Sequence, residues 1–416
     1  MQDLKHLLDN SKFLLLADQA LFSGTSFFLT LFIARSFSTE QFGIYSLWLI
    51  GIYFVLNLIS TIGIQQYQVL FPELGKKEGY TVFNVALFLF IIALINLTVF
   101  GILVPLLPIF EVIAEYKYVL LVFASGFLLH DFFRRLALAN LNVKLAFVID
   151  LSYAAIVGII AMTQVFFDLT FGVFTGLLAI SYLPSALGGL YEVRATSFTV
   201  KNWKEFAKKH WLHGKWLIVS AMVQWWSSNL FVLASGLYIG IEALGAFRLV
   251  QSLFGLLNVC LQAIENHAIP TAAKIYNEYS IPKTISFLNN LSYKTVLFFG
   301  SILSILFVFA SPLLVAAVGE KYQEYGFVVR GMVLLYAIII TGYPIRIGIR
   351  ILLLNKQHLI GYSLSLIVSF ISFNFLLEHF QLMGAIAGLI FSQIILLSFW
   401  YISLFRQKFY LWKSYI

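Results

Sequence analysis

The sequence predicts an all-α polytopic membrane protein with about 12 transmembrane helices in two parallel six-helix repeats. Three observations carry this. The 416 residues are 61% hydrophobic and 11% charged, with a mean hydropathy of +0.91, whereas a soluble domain is about half apolar and about a quarter charged. The apolar runs are long and continuous, without the period-2 alternation of barrel strands. Several short segments of the first half also recur, in the same order, in the second.

The first span is expected at 13–36. It is too long for the apolar region of a signal peptide and lacks an Ala-x-Ala exit, so it should stay in the membrane. It carries Asp18, Gln19, Ser23, Thr25 and Ser26. Spans at 42–66 and 82–107 follow. The fourth, 117–138, places His130 and Arg134 on one face and Asp131 and Arg135 on the adjacent one. The fifth, 144–166, carries Asp150. The sixth, 169–192, holds Gly172-x-x-x-Gly176, a spacing that lets helices pack closely. A basic connector at 194–215 puts Trp203, Phe206, Ala207 and Trp211 on one helix face and Lys201, Lys204 and Lys208 on the other. That pattern fits a helix lying in the membrane interface, or a plain basic linker. Six more spans follow at 215–239, 242–268, 291–317, 326–352, 358–378 and 383–405.

With these spans, one side of the membrane receives roughly 20 Lys and Arg and the other about 3, namely Arg35, Lys117 and Lys321. Both termini are therefore expected in the cytoplasm. The net charge of +8 belongs to those loops and not to a nucleic-acid surface.

The recurring segments are Glu40–Tyr45 with Glu242–Phe247, Pro105–Leu107 with Pro312–Leu314, Arg134 and Lys144 with Arg346 and Lys356, and the Gly172 motif with Gly384-x-x-x-Gly388. They divide the chain into lobes at 1–205 and 206–416. An even number of spans per lobe makes the repeats parallel, the plan of a transporter with its site between lobes. No phosphate-binding loop and no His-Glu-x-x-His occur, so transport is expected to run on an ion gradient, the membrane potential or the substrate's own gradient. The single cysteine, Cys260, excludes an internal disulfide and a Cys-rich metal site. A membrane glycosyltransferase or polymerase would need carboxylates on a sizeable outer loop, and the loops here are short. No catalytic residue, cofactor or metal is expected.

A charge at mid-membrane costs about 2.5–3.5 kcal/mol, so buried ionisable groups face a cavity or a partner. Arg134, Arg248, Arg330 and Arg346 are candidate substrate contacts. A guanidinium binds phosphate through two bonds and stays charged, which suits a diphosphate. The alternative for arginines near helix ends, Arg135 and Arg350 included, is snorkelling or an internal pair such as Asp131–Arg135. Gln224 and Asn229, in the polar stretch Gln224–Asn229, are candidates for sugar hydroxyls, with Trp225 or Trp226 stacking on a sugar. The alternative is interhelical hydrogen bonding. Asp18, His130, Asp150 and Glu265 are candidates for coupling to H+ or Na+, or else simple partners of a nearby cation.

Three stretches carry a family likeness: Ala34–Tyr45, Pro312 with Gly319-Glu320-Lys321-Tyr322, and Asn374 with Gly384–Gly388. With these, the chain resembles Wzx-type polysaccharide flippases of the multidrug/oligosaccharidyl-lipid/polysaccharide exporter superfamily. The resemblance implies a V-shaped pair of six-helix bundles, as in the drug exporters of that superfamily, and alternating access through a cationic central cavity. It implies an undecaprenyl-diphosphate-linked oligosaccharide (an O-antigen, capsule or exopolysaccharide unit) moved from the cytoplasmic to the periplasmic leaflet of the bacterial inner membrane. A polysaccharide polymerase and a chain-length regulator are the protein partners it suggests. The alternative within the fold is a cation-coupled multidrug exporter, which would favour a negatively charged cavity.

Overall fold

In a computed structural model, the residues described are 11–75, 79–106, 114–194, 199, 202–279 and 281–412. They are helical almost throughout, and no strand occurs among them. The helices are α1 (Ser11–Ser36), α2 (Thr39–Ile62), α3 (Ile64–Leu74), α4 (Tyr80–Asn96), α5 (Lys117–Ala139), α6 (Val143–Phe167), α7 (Phe171–Ile180), α8 (Leu183–Val193) and α9 (Trp203–Tyr238). They continue as α10 (Ile241–Glu278), α11 (Ile281–Val308), α12 (Ala310–Val318), α13 (Gly326–Thr341), α14 (Tyr343–Ile351) and α15 (Asn355–Arg406). A π-helical segment, Leu97–Leu103, extends α4, and a 3-10 segment, Glu320–Tyr325, precedes α13.

Ten helical stretches among the described residues are long and apolar enough to cross a membrane. α5 is not among them because Lys117, Asp131, Arg134 and Arg135 lie along it. The 52-residue α15 is twice the length of a span and breaks at Gln381 (φ 49°, ψ −130°). Counting α5, and α15 as two, gives the twelve crossings expected. Several crossings are interrupted: at Gly63 between α2 and α3, at Ser181–Tyr182 between α7 and α8, at Phe309 between α11 and α12, and at Gly342 between α13 and α14. Large apolar side chains face outward, Phe166 at 79% and Phe167 at 74% exposure, as expected of a surface wetted by lipid.

The chain divides into two compact units, one of Met1–Ile33 with Trp48–Ala221, the other of Ala34–Leu47 with Met222–Ile416. In the first, α5 is the hub, packing on α6, α7 and α8. Its faces are filled by rings: Phe88 stacks on Phe132 with centroids 3.9 Å apart, and Phe123 and Phe127 both meet Tyr182. In the second, α13 packs between α11 and α15, and α14 also lies on α15. Gly388 lies under the Phe231 ring, the close approach that its Gly-x-x-x-Gly spacing suggests.

The hairpin tip at 34–47 is built into the second unit. Thr39 Oγ1 donates to Glu242 Oε1 at 3.0 Å, and the Phe42 ring meets Tyr322 edge-on at 6.2 Å. Lys321 Nζ donates to the Arg35 carbonyl at 3.2 Å and to that of Phe37, so a cation closes the C-terminal end of α1. Gly43 lies against the Ile241 carbonyl, and a Cβ on Gly245 would stand 2.9 Å from Gly43 Cα. The backbones touch, so neither glycine has room for a side chain. Gly43→Ala is expected to lower stability by about 1–3 kcal/mol, read as a lower melting temperature in detergent. Gly24→Ala, with open space at its Cβ, serves as the control.

The stretch expected to lie flat in the interface does not form a separate helix. It is the first third of the 36-residue α9. Trp203 and Phe206 face Phe83 and Tyr80 of α4, with ring centroids 5.7 and 5.0 Å apart. Half of that apolar face, Trp203 and Phe206, is thus satisfied by protein, while Ala207 and Trp211 are exposed with Lys204 and Lys208; Lys201 lies outside the described residues.

Candidate functional site

Among the described residues, a buried charged cluster lies within the helices of each unit. In the first unit, α5 brings His130 and Arg134 to the same face, as their i, i+4 spacing requires. Arg134 Nε donates to Asp150 Oδ2 of α6 at 2.7 Å, and its Nη2 donates to Asp18 Oδ2 of α1 at 2.5 Å. The guanidinium also sits 4.5 Å from the centroid of Phe22, one turn along α1 from Asp18. His130 Nδ1 is 2.5 Å from Ser185 Oγ of α8, and its ring stacks against Phe22 and lies beside Tyr153. Its Nε2 is 3.3 Å from Asp150 Oδ1. Asp18 and Asp150 are fully buried, and His130 and Arg134 nearly so.

The charges in this cluster do not balance. Two carboxylates face one guanidinium, which leaves a net negative charge while His130 is neutral. Asp131 does not alter the sum, since it takes its own partner, Arg135 Nε, at 2.7 Å. Asp18 Oδ1, Asp150 Oδ1 and His130 Nε2 are buried without a hydrogen-bond partner. His130 Nε2 and Asp150 Oδ1 face each other, while Asp18 Oδ1 faces no donor.

The second cluster has the opposite sign. Glu265 of α10, buried, receives a hydrogen bond from Arg350 Nη1 to Oε1 and one from Tyr343 Oη to Oε2 at 3.0 Å. Arg346, one turn before Arg350 on α14, reaches the same Oε1 only at 3.8 Å, and its Nε has no hydrogen-bond partner. One carboxylate thus serves two guanidiniums and bonds only one of them. Arg346 is 32% exposed, and Gln224 Nε2 donates nearby to Tyr362 Oη at 3.2 Å.

The structure therefore joins Asp18, His130, Arg134 and Asp150 in one cluster and Glu265 and Arg346 in another. Four other candidates lie in neither, Gln224 with its bond to Tyr362 among them. Arg248 is half-buried and donates from Nη1 to Gln251 Oε1 at 3.0 Å. Arg330 is exposed and reaches the Phe307 carbonyl at 3.4 Å. Asn229 Nδ2 donates to the Trp225 carbonyl of its own helix at 2.9 Å. In the polar stretch, Ser227 bonds Ser365 at 2.9 Å, so part of it holds α9 to α15. Sequence reasoning missed Ser185 and Tyr343. Tyr343 sits three residues before Arg346, a spacing that could have flagged it. Ser185 is one hydroxyl in an apolar span and carries no such signal. No group of three or more His, Cys, Asp or Glu fit to hold a metal occurs among the described residues.

No protein-family model matches the chain, and no curated protein matches it in sequence. Solved structures do match its fold. An inward-facing multidrug resistance MATE family transporter of the MOP superfamily superposes with a TM-score of 0.77 at 13% identity, over 94% of this chain and 95% of that one. The lipid II flippase MurJ, in an inward closed conformation, gives 0.69 at 13% identity, over 94% and 86%. A MOP superfamily transporter from Pyrococcus furiosus, described as having a binding pocket of reversed polarity, gives 0.61 at 13% identity, over 96% and 97%. The chain has the MATE-like transporter fold.

Proposed function

We propose that this protein is a flippase for a lipid-diphosphate-linked oligosaccharide, carried from the cytoplasmic to the outer leaflet of a bacterial inner membrane by alternating access. The observation that carries the reading is the imbalance around Glu265. Arg346 sits within a membrane-spanning stretch, partly open, and no carboxylate is hydrogen-bonded to it. Holding such a cation in the membrane is costly unless an anion visits it. A diphosphate offers paired oxygens in the geometry a guanidinium prefers. Arg134 is a weaker candidate for the same role because two carboxylates already occupy its donors. Support from the fold comes from the lipid II flippase among the structural neighbours.

Coupling belongs, in this reading, to the first cluster. Two buried carboxylates share one guanidinium there, and Arg134 already fills the space between them, which favours H+ over Na+. Glu265 is a partner of Arg350 and not a coupling group. Both termini face the cytoplasm, and a polymerase and a chain-length regulator would act on the product at the outer face.

The second reading, a cation-coupled multidrug exporter, is favoured by that same negative excess near Asp18. Reconstituted vesicles separate the two. A lipid-diphosphate oligosaccharide placed in one leaflet should become accessible to added glycosidase in the other, while a cationic dye is not expelled. Dye efflux without lipid movement would establish the exporter instead.

A further inference from the structure

The outward face of α9 carries Lys204, Lys208, Trp211 and Lys215, spaced four, three and four residues apart along one stripe. Lys204, Lys208 and Trp211 are exposed, and Lys215 is half-exposed. Trp216 beside them is 69% exposed. The opposite stripe, Trp203, Phe206 and His210, is engaged with α4: His210 Nε2 meets Tyr80 Oη at 3.0 Å, and Phe206 is fully buried. The one lysine with carboxylate partners here is Lys209, which pairs with Glu73 and lies 3.7 Å from Glu205. Lys204, Lys208 and Lys215 pair with no carboxylate among the described residues. The helix therefore neutralises the lysine at its flank and leaves three on the face turned away from the protein.

Length fixes what that face meets. At 1.5 Å per residue, 36 residues span about 54 Å, against a hydrocarbon core of about 30 Å. The surplus lies at the N-terminal, basic end, so the stripe crosses the headgroup layer before the helix enters the apolar core. Tryptophans between lysines are the composition of that layer.

We propose that this stripe is a binding site for anionic phospholipid headgroups of the cytoplasmic leaflet, with Lys208 and Lys215 as the phosphate contacts and Trp211 and Trp216 as the interfacial anchors. The stripe is about 16 Å long, and surface charge is screened over about 8 Å. The contribution is therefore graded. Lysines close to the surface each strengthen association about fivefold, and Lys204, farthest out, adds least. The site is independent of what the protein transports, and its test involves no translocation.

Brominated lipids quench tryptophan on contact, and the difference between wild type and the Trp211→Phe/Trp216→Phe variant isolates these two rings. In vesicles of mixed phosphatidylglycerol and phosphatidylcholine, brominating the anionic lipid should quench them several-fold more effectively than brominating the zwitterionic one. That preference should fall in high salt and vanish in Lys204→Gln/Lys208→Gln/Lys215→Gln, whose surface changes leave the buried face of α9 intact. Lys208→Gln/Lys215→Gln should account for most of the loss. Equal quenching by the two lipids, or a preference unchanged in the triple variant, overturns the proposal. A polyprenyl diphosphate that displaces the brominated anionic lipid at a tenth of its mole fraction would also overturn it, since the stripe would then collect the lipid-linked substrate and not phospholipid.

Discussion

Arg134→Leu is expected to destabilise the protein by about 3–5 kcal/mol, the typical cost of leaving a buried ion pair without one partner. The change removes the guanidinium bonded to Asp18 and Asp150, both fully buried. Two buried carboxylates would then face each other without a cation bonded to either. The folded state would have to take up protons to survive, so the loss should be larger at high pH than at low pH. Thermal unfolding in detergent across a pH series reads both effects. The triple variant Asp18→Asn/Arg134→Leu/Asp150→Asn removes all three charges and should recover most of the stability. Recovery without transport would assign the cluster to function as well as structure. A triple variant as unstable as Arg134→Leu would mean that contact of the guanidinium with the Phe22 ring, and not its pairing with the carboxylates, is what the site needs.

Arg346→Ala is expected to do the reverse. It leaves Glu265 with its Arg350 and Tyr343 bonds and so should cost little stability. If Arg346 meets the diphosphate, the loss of one charge-assisted contact of about 1.5–3 kcal/mol weakens substrate interaction roughly 10- to 150-fold. Glycosidase accessibility in vesicles measures the rate, and the melting temperature measures the fold. Arg350→Ala makes the contrast. It removes the guanidinium bonded to a buried carboxylate, so it should lower the melting temperature first and transport only as a consequence. Transport unchanged in Arg346→Ala would remove Arg346 from the site while leaving the flippase assignment to the wild-type assay.

Much of this architecture was legible in the residues. Apolar runs are a direct reading of what the bilayer demands, so the twelve crossings were found, including α5 with its four charges and the two halves of α15. The breaks at Gly63, Ser181–Tyr182, Phe309 and Gly342 were not. A span can bend or restart wherever a neighbour satisfies the freed backbone groups, and that neighbour is set by tertiary structure. The start of α9 shows the same limit differently. Its two-faced pattern was plain, but periodicity does not say whether lipid or protein covers the apolar face. Tyr80 and Phe83 cover it, from more than 100 residues earlier. In the charged clusters, Asp131–Arg135 was visible because its partners are one helical turn apart. Arg134 and Asp18 are 116 residues apart, and nothing local links them. Each was recognisable as a costly intramembrane charge, and the cost implied a partner without naming it.

The hairpin tip at 34–47 also sets a problem in time. Its packing partners, Ile241, Glu242 and Gly245, are synthesised about 200 residues after it. A ribosome adding about 5–20 residues per second needs about 10–40 s to reach them. Through that interval Phe42 and the bare Gly43 backbone lack these partners. The nascent chain must therefore tolerate, or have chaperoned, an unfinished surface made of residues that leave no room for a side chain in the finished protein.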